Sequence, residues 1–225
     1  MKQIPLIFGL IFILTTSCKK DVIVDELSCN FTNYRYYQDE VKFLGEMSGN
    51  YILIGIDTTN SDDMINDFIK SKDYFDQTYN YEIYKHNQYK YKYFAMKLIR
   101  TYSCRSITWI INDLHQSSII DFVHYTIQTD DCMNDIWEPI GKQCVDSYSN
   151  SFYVKVKNAD YTSDLQNVVL KTNTIIKMQD KYMNNWYILE ADKNSQGDAL
   201  QMANYFYETE LFAACEPDII KIPVE

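Results

Sequence analysis

The residues able to do chemistry are scattered along this chain rather than grouped. Its three histidines, His86, His115 and His124, lie apart from one another and away from the cysteines, and no Cys-x-x-Cys pair occurs. A zinc site needs several such ligands at short, regular spacing, so no metal is predicted, and no cofactor. There is no Gly-x-Ser-x-Gly elbow, no phosphate-binding or dinucleotide glycine pattern and no His-Glu-x-x-His. His124, which follows the apolar segment Ile119-Ile120-Asp121-Phe122-Val123, is the best isolated acid-base candidate. A hydrogen-bonded structural histidine is the favoured reading of it. The chain is expected to be no enzyme.

The N-terminus carries an address. Lys2 is followed by the apolar run Ile4 to Leu14 and then by Thr15-Thr16-Ser17-Cys18, the arrangement of a bacterial lipoprotein signal peptide over 1-17. The run is shorter than the ~20 apolar residues of a membrane-spanning helix. Cys18 is therefore the expected lipidation site, since a thiol at the new N-terminus can carry the diacylglycerol. Lys19 rather than Asp follows it, which points to the outer membrane within the cell envelope. Residues 18-30 read as a lipidated tether.

Five cysteines remain in the exported part: Cys29, Cys104, Cys132, Cys144 and Cys215. An odd number leaves at least one thiol free or paired between molecules. Cys132 and Cys144 are the candidate disulfide, and the others read as buried or loop thiols.

Composition bounds the partners. The formal charge is −10, which disfavours nucleic acid and anionic membrane surfaces, so attachment is expected through lipid. With 46% hydrophobic and 23% charged residues the chain is globular, and its 6 Gly and 4 Pro in 225 residues call for long regular elements.

Those elements occur twice in one order. After a short hairpin at Tyr34 to Leu44, Tyr51 to Ile56 is a buried strand, and a helix runs from about Asp62 to Phe75 with Met64, Ile65, Phe68 and Ile69 on one face. A tyrosine-rich hairpin follows, Tyr79 to Lys85 and Tyr91 to Arg100, turning at His86-Asn87-Gln88. A second helix carries Ile107, Ile110, Ile111 and Leu114, and Ile119 to Val123 is a strand. The second copy has a strand at Phe152 to Lys157 and a helix opened by Ser163 and Gln166 as a capping box. A hairpin of Thr174 to Met178 and Trp186 to Glu190 follows, then a helix Asp198 to Glu210 and a strand from Phe212 to Cys215.

Each copy reads βαββαβ, which folds as a four-stranded antiparallel sheet with two helices on one face. The predicted class is α+β, two tandem ferredoxin-like modules at 31-130 and 151-221, joined by a linker at 131-150 and followed by a tail at 222-225.

The 20 tyrosines are the other unusual feature. In Tyr89-Lys90-Tyr91-Lys92-Tyr93 strict alternation puts the tyrosines on one sheet face and the lysines on the other. A half-buried strand with good β propensity accounts for this pattern. The same tyrosines could form a face for a partner, because tyrosine offers large, stiff, amphipathic contact area. A sugar-stacking platform would be expected to add tryptophan, and the chain has Trp109, Trp137 and Trp186.

From the Tyr36-Tyr37 hairpin to Ile219 the chain resembles the N-terminal, propeptide-like region of secreted bacterial subtilisin-like serine proteases. Met183-Asn184-Asn185-Trp186-Tyr187 and the block from Ala199 to Asp218 carry the resemblance best. Glu210 departs from it, standing where a glycine often ends the helix, and the glycine-rich segments that frame the protease's catalytic residues are missing. The resemblance implies a ferredoxin-like propeptide without its enzyme, which covers a protease with its open sheet face and lays its C-terminal tail in the active-site cleft. That tail would be Ile222, Pro223, Val224 and Glu225, with the Glu225 carboxylate at the specificity pocket. The expected function is binding, and inhibiting or chaperoning, a subtilisin-like protease. The alternative is a surface interaction or immunity-type lipoprotein with no protease partner, which would bind through the tyrosine face or the segment between Cys132 and Cys144.

Overall fold

The computed structural model describes residues 28–86, 91–134, 136–158 and 162–225. The signal peptide, Cys18, most of the tether, Tyr89 and the turn residues Asn87 and Gln88 lie outside the described residues.

A hairpin of β1 (Tyr34–Tyr37) and β2 (Glu40–Phe43) opens the described chain and forms a two-stranded sheet of its own. Then come β3 (Met47–Asp57), α1 (Asp62–Lys70), β4 (Tyr84–His86), β5 (Tyr91–Lys97), α2 (Cys104–His115) and β6 (Ile120–Gln128). The second half runs β7 (Cys144–Val156), α3 (Thr162–Thr172), β8 (Ile175–Gln179), β9 (Trp186–Glu190), α4 (Ala199–Glu208) and β10 (Phe212–Pro223). The protein is thus α+β, with four helices and an antiparallel sheet among the described residues.

The sheet has eight strands in the order β4-β5-β3-β6-β7-β9-β8, with β10 paired to β7. Each half therefore reads second, third, first, fourth in its own chain order. β10 runs along β7 from Val156 to Cys144, so β6 and β9 share the opposite edge of β7. The two halves are stitched by a short ladder, Ile127 to Asp146 and Gln128 to Val145.

Side-chain alternation along the strands builds three apolar clusters among the described residues. Ile52, Ile54 and Ile56 of β3 meet Ile65 and Ile69 of α1 and the Ile107, Ile110, Ile111 and Leu114 stripe of α2. The helix stripe was legible because apolar residues recur at i, i+3, i+4 and i+7. In the second half Phe152 and Val154 of β7 pack on Leu165, Leu200 and Phe206. A third cluster lies on the face of β3 and β5 turned away from the first, where Leu53, Tyr91, Ala95 and Phe122 are covered by Val145, Ile222 and Val224. On β3 and β5 the sheet face expected to be open is covered by the chain's own end.

Several boundaries differ from expectation. The predicted linker is strand from Cys144 onward, because β10 extends to Pro223 and ladders with both ends of β7, Cys144 to Tyr148 and Phe152 to Val156, across an irregularity between them. Residues 222-225 are no free tail: Ile222 pairs with Val145, Ile222 and Val224 are buried, and Val224 N–H donates to the Gln143 carbonyl at 3.1 Å. Helix α1 stops at Lys70, where the Ser71 N–H turns back to the Asp67 carbonyl, and Phe75 instead enters the core through a bridge with Leu98. Ser163 lies inside α3 rather than at its cap. The reciprocal capping box of the second half is formed by Asp198 and Gln201 at α4.

Gly55 faces the third cluster on β3, directly opposite Phe122. A Cβ there would sit 2.0 Å from Phe122 Cε1, inside the ring's contact radius. Gly55→Val is expected to expel the Phe122 ring and cost about 3 kcal/mol, as overpacking does. Denaturant unfolding checks this, and a double variant Gly55→Ala with Phe122→Leu should recover part of the loss.

Candidate binding groove

The Cys132–Cys144 disulfide is present, and it clamps a loop onto the start of β7. Inside it, Asn134 organises the turn: its Oδ1 accepts from the N–H of Ile136 at 3.1 Å and of Glu138 at 2.8 Å, while Trp137 N–H donates to the Asn134 carbonyl at 3.0 Å. Ile140 N–H closes onto the Cys132 carbonyl, and Met133 bridges to Pro139. Trp137 adopts φ 64°, a left-handed backbone that bulky residues rarely take, and its side chain is 82% exposed. These bonds tie 132–134 to 136–140, and Trp137 presents its indole to solvent.

Opposite this loop stand the tyrosines of β5. Tyr91 and Tyr93 share a face, as the alternation predicted, and Lys92 points the other way to the Asp62 carboxylate and the Asn60 carbonyl. Tyr93 is stacked on Tyr84 with ring centroids 5.5 Å apart, and Tyr91 meets Phe122 edge-on at 5.4 Å. Tyr91 is buried beneath the chain's own C-terminal strand, so it cannot serve as part of a wide, flat partner face.

Loop and tyrosines are the two walls of one groove of about 820 Å³. Between them lie Arg35 of β1, Asp146 of β7 and the Asp218 to Lys221 stretch of β10. Lys221 binds Asp131 at 2.9 Å, and Ser149 Oγ donates to Asp218 at 2.6 Å. The Arg35 guanidinium lies 5.0 Å over the Tyr37 ring. Arg35 Nε and Asp146 Oδ1 are buried without a hydrogen-bond partner among the described residues. Burial raises the Asp146 carboxyl above the usual range, against the opposing pull of Lys221 and the Thr129 hydroxyl. Burial, and then the Asp218 charge, raises the Tyr93 phenol.

Sequence reading therefore found the tyrosines and the disulfide but did not join them, and it missed Arg35, Asp146 and Asp218. Trp137 stands out in the sequence only as one of three tryptophans. Glu225 is held in the molecule by Lys142, whose backbone N–H donates to its carboxylate.

His124 is placed by the β6 to β7 junction. It is fully buried, stacked on Phe122 at 4.8 Å and on Tyr148 at 4.4 Å, with Nδ1 2.7 Å from the Tyr148 carbonyl. A carbonyl only accepts, so Nδ1 carries the proton. Nearby, a cavity of about 220 Å³ is lined by His115, His124 and Asp198, and Tyr148 donates to Asp198 at 2.9 Å. The histidine thus has the hydrogen-bonded structural setting.

Burial pushes the His124 imidazole down to about 4. Between pH 6.5 and that value the unfolded chain binds the proton and the native state does not, so this histidine's contribution to stability falls as pH falls. His115, also pushed down to about 4, acts the same way, whereas Asp121, raised to about 6, acts oppositely. Only a difference isolates one group. The stability advantage of wild type over His124→Asn is expected to shrink by about 3 kcal/mol from pH 7 to pH 4. Urea midpoints across that range measure it.

No family model and no curated protein matches this sequence. Among solved structures, the small subunit of acetolactate synthase from Thermotoga maritima is similar at 9% identity, over 77% of this chain and 95% of that one, with a TM-score of 0.25. Likeness at that level carries no argument about function.

Proposed function

We propose that this protein is a non-catalytic binding lipoprotein of the cell envelope, built from two ferredoxin-like modules, whose binding site is the groove between Tyr93 and the Cys132–Cys144 loop. The observation that carries this reading is the convergence of an exposed Trp137 on a disulfide-closed loop, the partly exposed Tyr93 and the polar side chains of Arg35 and Asp146 in one concavity. Sites for ligands are concave, largely apolar and equipped with a few convergent polar groups. The two modules are supported by the repeated strand order, second, third, first, fourth. Two disulfides agree with an oxidising compartment such as the envelope.

This reading favours the interaction-protein alternative over tail-directed inhibition, because residues 222-225 are committed to the sheet. A subtilisin-like protease then remains one candidate partner, to be met through the groove rather than through a product-like tail.

Trp137 supplies the test. The purified mature chain is titrated with short peptides, soluble saccharides and a subtilisin-like protease while indole emission is followed. Binding by any of them should fall about tenfold in both Trp137→Ala and Tyr93→Ala. Binding that is equally strong in both variants moves the site away from the groove.

A further inference from the structure

We infer that the groove takes a neutral oligosaccharide. The inference rests on the groove being the binding site and adds its ligand class.

Four features of the site point to a sugar. First, the walls are aromatic and come from separate elements: Trp137 on the disulfide loop, Tyr91 and Tyr93 on β5. The exposed Trp137 indole and the partly exposed Tyr93 ring suit the C–H faces of pyranose rings, which are apolar on one side and bear hydroxyls at the rim, while the buried Tyr91 backs the wall. Second, the polar groups between them are of two complementary kinds. Arg35 only donates hydrogen bonds, and the carboxylates of Asp146 and Asp218 accept them. A hydroxyl does both, so neighbouring sugar hydroxyls can accept from the guanidinium and donate to a carboxylate.

Third, charge selects neutrality. Lysine and aspartate already neutralise each other at Lys221 and Asp131, and the chain as a whole carries −10, which repels acidic glycans. Fourth, the volume of about 820 Å³ lies in the range of small-molecule sites and suits a few linked rings. An extended peptide is the competing ligand class, because strand addition needs an open row of backbone N–H and C=O groups and β10, laddered to β7 alone among the described strands, has one beside the groove. The aromatic rings and the complementary donor and acceptor side chains favour the sugar.

The experiment uses the mature chain from Lys19, measured by calorimetry and Trp emission against maltotriose, cellotriose, mannotriose and N-acetylchitotriose, with a set of extended hexapeptides in parallel. At least one trisaccharide should bind, and Trp137→Ala should weaken it about tenfold with an unchanged melting temperature, since the indole is exposed. Asp146→Asn, which keeps the shape and alters the acceptor, should weaken the same sugar and leave the fold intact. If hexapeptides bind in a Trp137-dependent way and none of the four sugars does, the sugar assignment is wrong while the groove remains the site. If neither class binds, both readings fall. Sugar binding that survives Trp137→Ala and Tyr93→Ala overturns the assignment to this groove.

Discussion

A chain ending at Lys221 is expected to lose about 4 kcal/mol of stability and about 10 °C of melting temperature. The reason is the third apolar cluster, in which Ile222 and Val224 cover Leu53, Tyr91 and Phe122 from the face of the sheet opposite α1 and α2. Removing two buried aliphatic side chains forfeits their transfer energy and exposes the Leu53, Tyr91 and Phe122 surface that they cover. Backbone bonds go with them, Val224 N–H to Gln143 and Tyr51 Oη to the Val224 carbonyl at 3.2 Å. Thermal and urea unfolding of the two chains decide the matter. A truncated chain that melts with the full one, but no longer inhibits a protease, would return residues 222-225 to the role of a cleft-binding tail. This also warns against reading lost inhibition after truncation as lost tail contact, since a destabilised protein fails in every assay.

Removing the Cys29–Cys104 disulfide should cost nearly as much. Its partners are 75 residues apart, and a cross-link across such a span restricts the unfolded chain by about 4 kcal/mol in the chain-entropy account, against about 3 kcal/mol for the Cys132–Cys144 bridge with its separation of 12. The long bridge also pins the start of the described chain to α2, where Phe31 packs edge-on against Tyr125 with ring centroids 5.5 Å apart. Cys29→Ala with Cys104→Ala is therefore expected to shift the urea midpoint further than Cys132→Ala with Cys144→Ala. The short bridge should matter more to the groove, because it anchors the loop that carries Trp137. Equal urea midpoints for the long-bridge variant and wild type would refute the first expectation. Unchanged ligand affinity in the short-bridge variant would refute the second. Cys215 remains a buried thiol, its ionisation opposed chiefly by burial.

The helices and inner strands could be read from the chain because their signals are local. Ile107, Ile110, Ile111 and Leu114 recur at helical spacing, and Tyr51 to Ile56 is an apolar run. Both positions hold in the structure. The start of β7 could not be read that way. Asp146, Ser147, Ser149, Asn150 and Ser151 look like a polar connection, yet Ser147, Ser149, Asn150 and Ser151 are buried. Ser147 Oγ donates to the Tyr125 carbonyl at 2.9 Å, Ser149 Oγ to Asp218, and Asn150 Nδ2 to Glu190. Each partner lies 22 or more positions away in the chain, so hydropathy along the sequence is silent about it. The Cys29–Cys104 pairing escaped for the same reason, since spacing alone does not show which thiols meet.

The sequence by itself determined the α+β class, the apolar stripes of the helices and the apolar inner strands, because periods of 2 and 3.6 are written residue by residue. Tertiary structure alone decided what covers the second apolar face. Pairing of β10 with both ends of β7 brings Ile222 and Val224 onto β3 and β5, converts an expected free tail into core and leaves Trp137, Tyr93, Arg35 and Asp146 around one groove. That outcome depends on contacts between residues far apart in the chain, whose favourable burial outweighs the entropy of closing long loops only once the strands are in register.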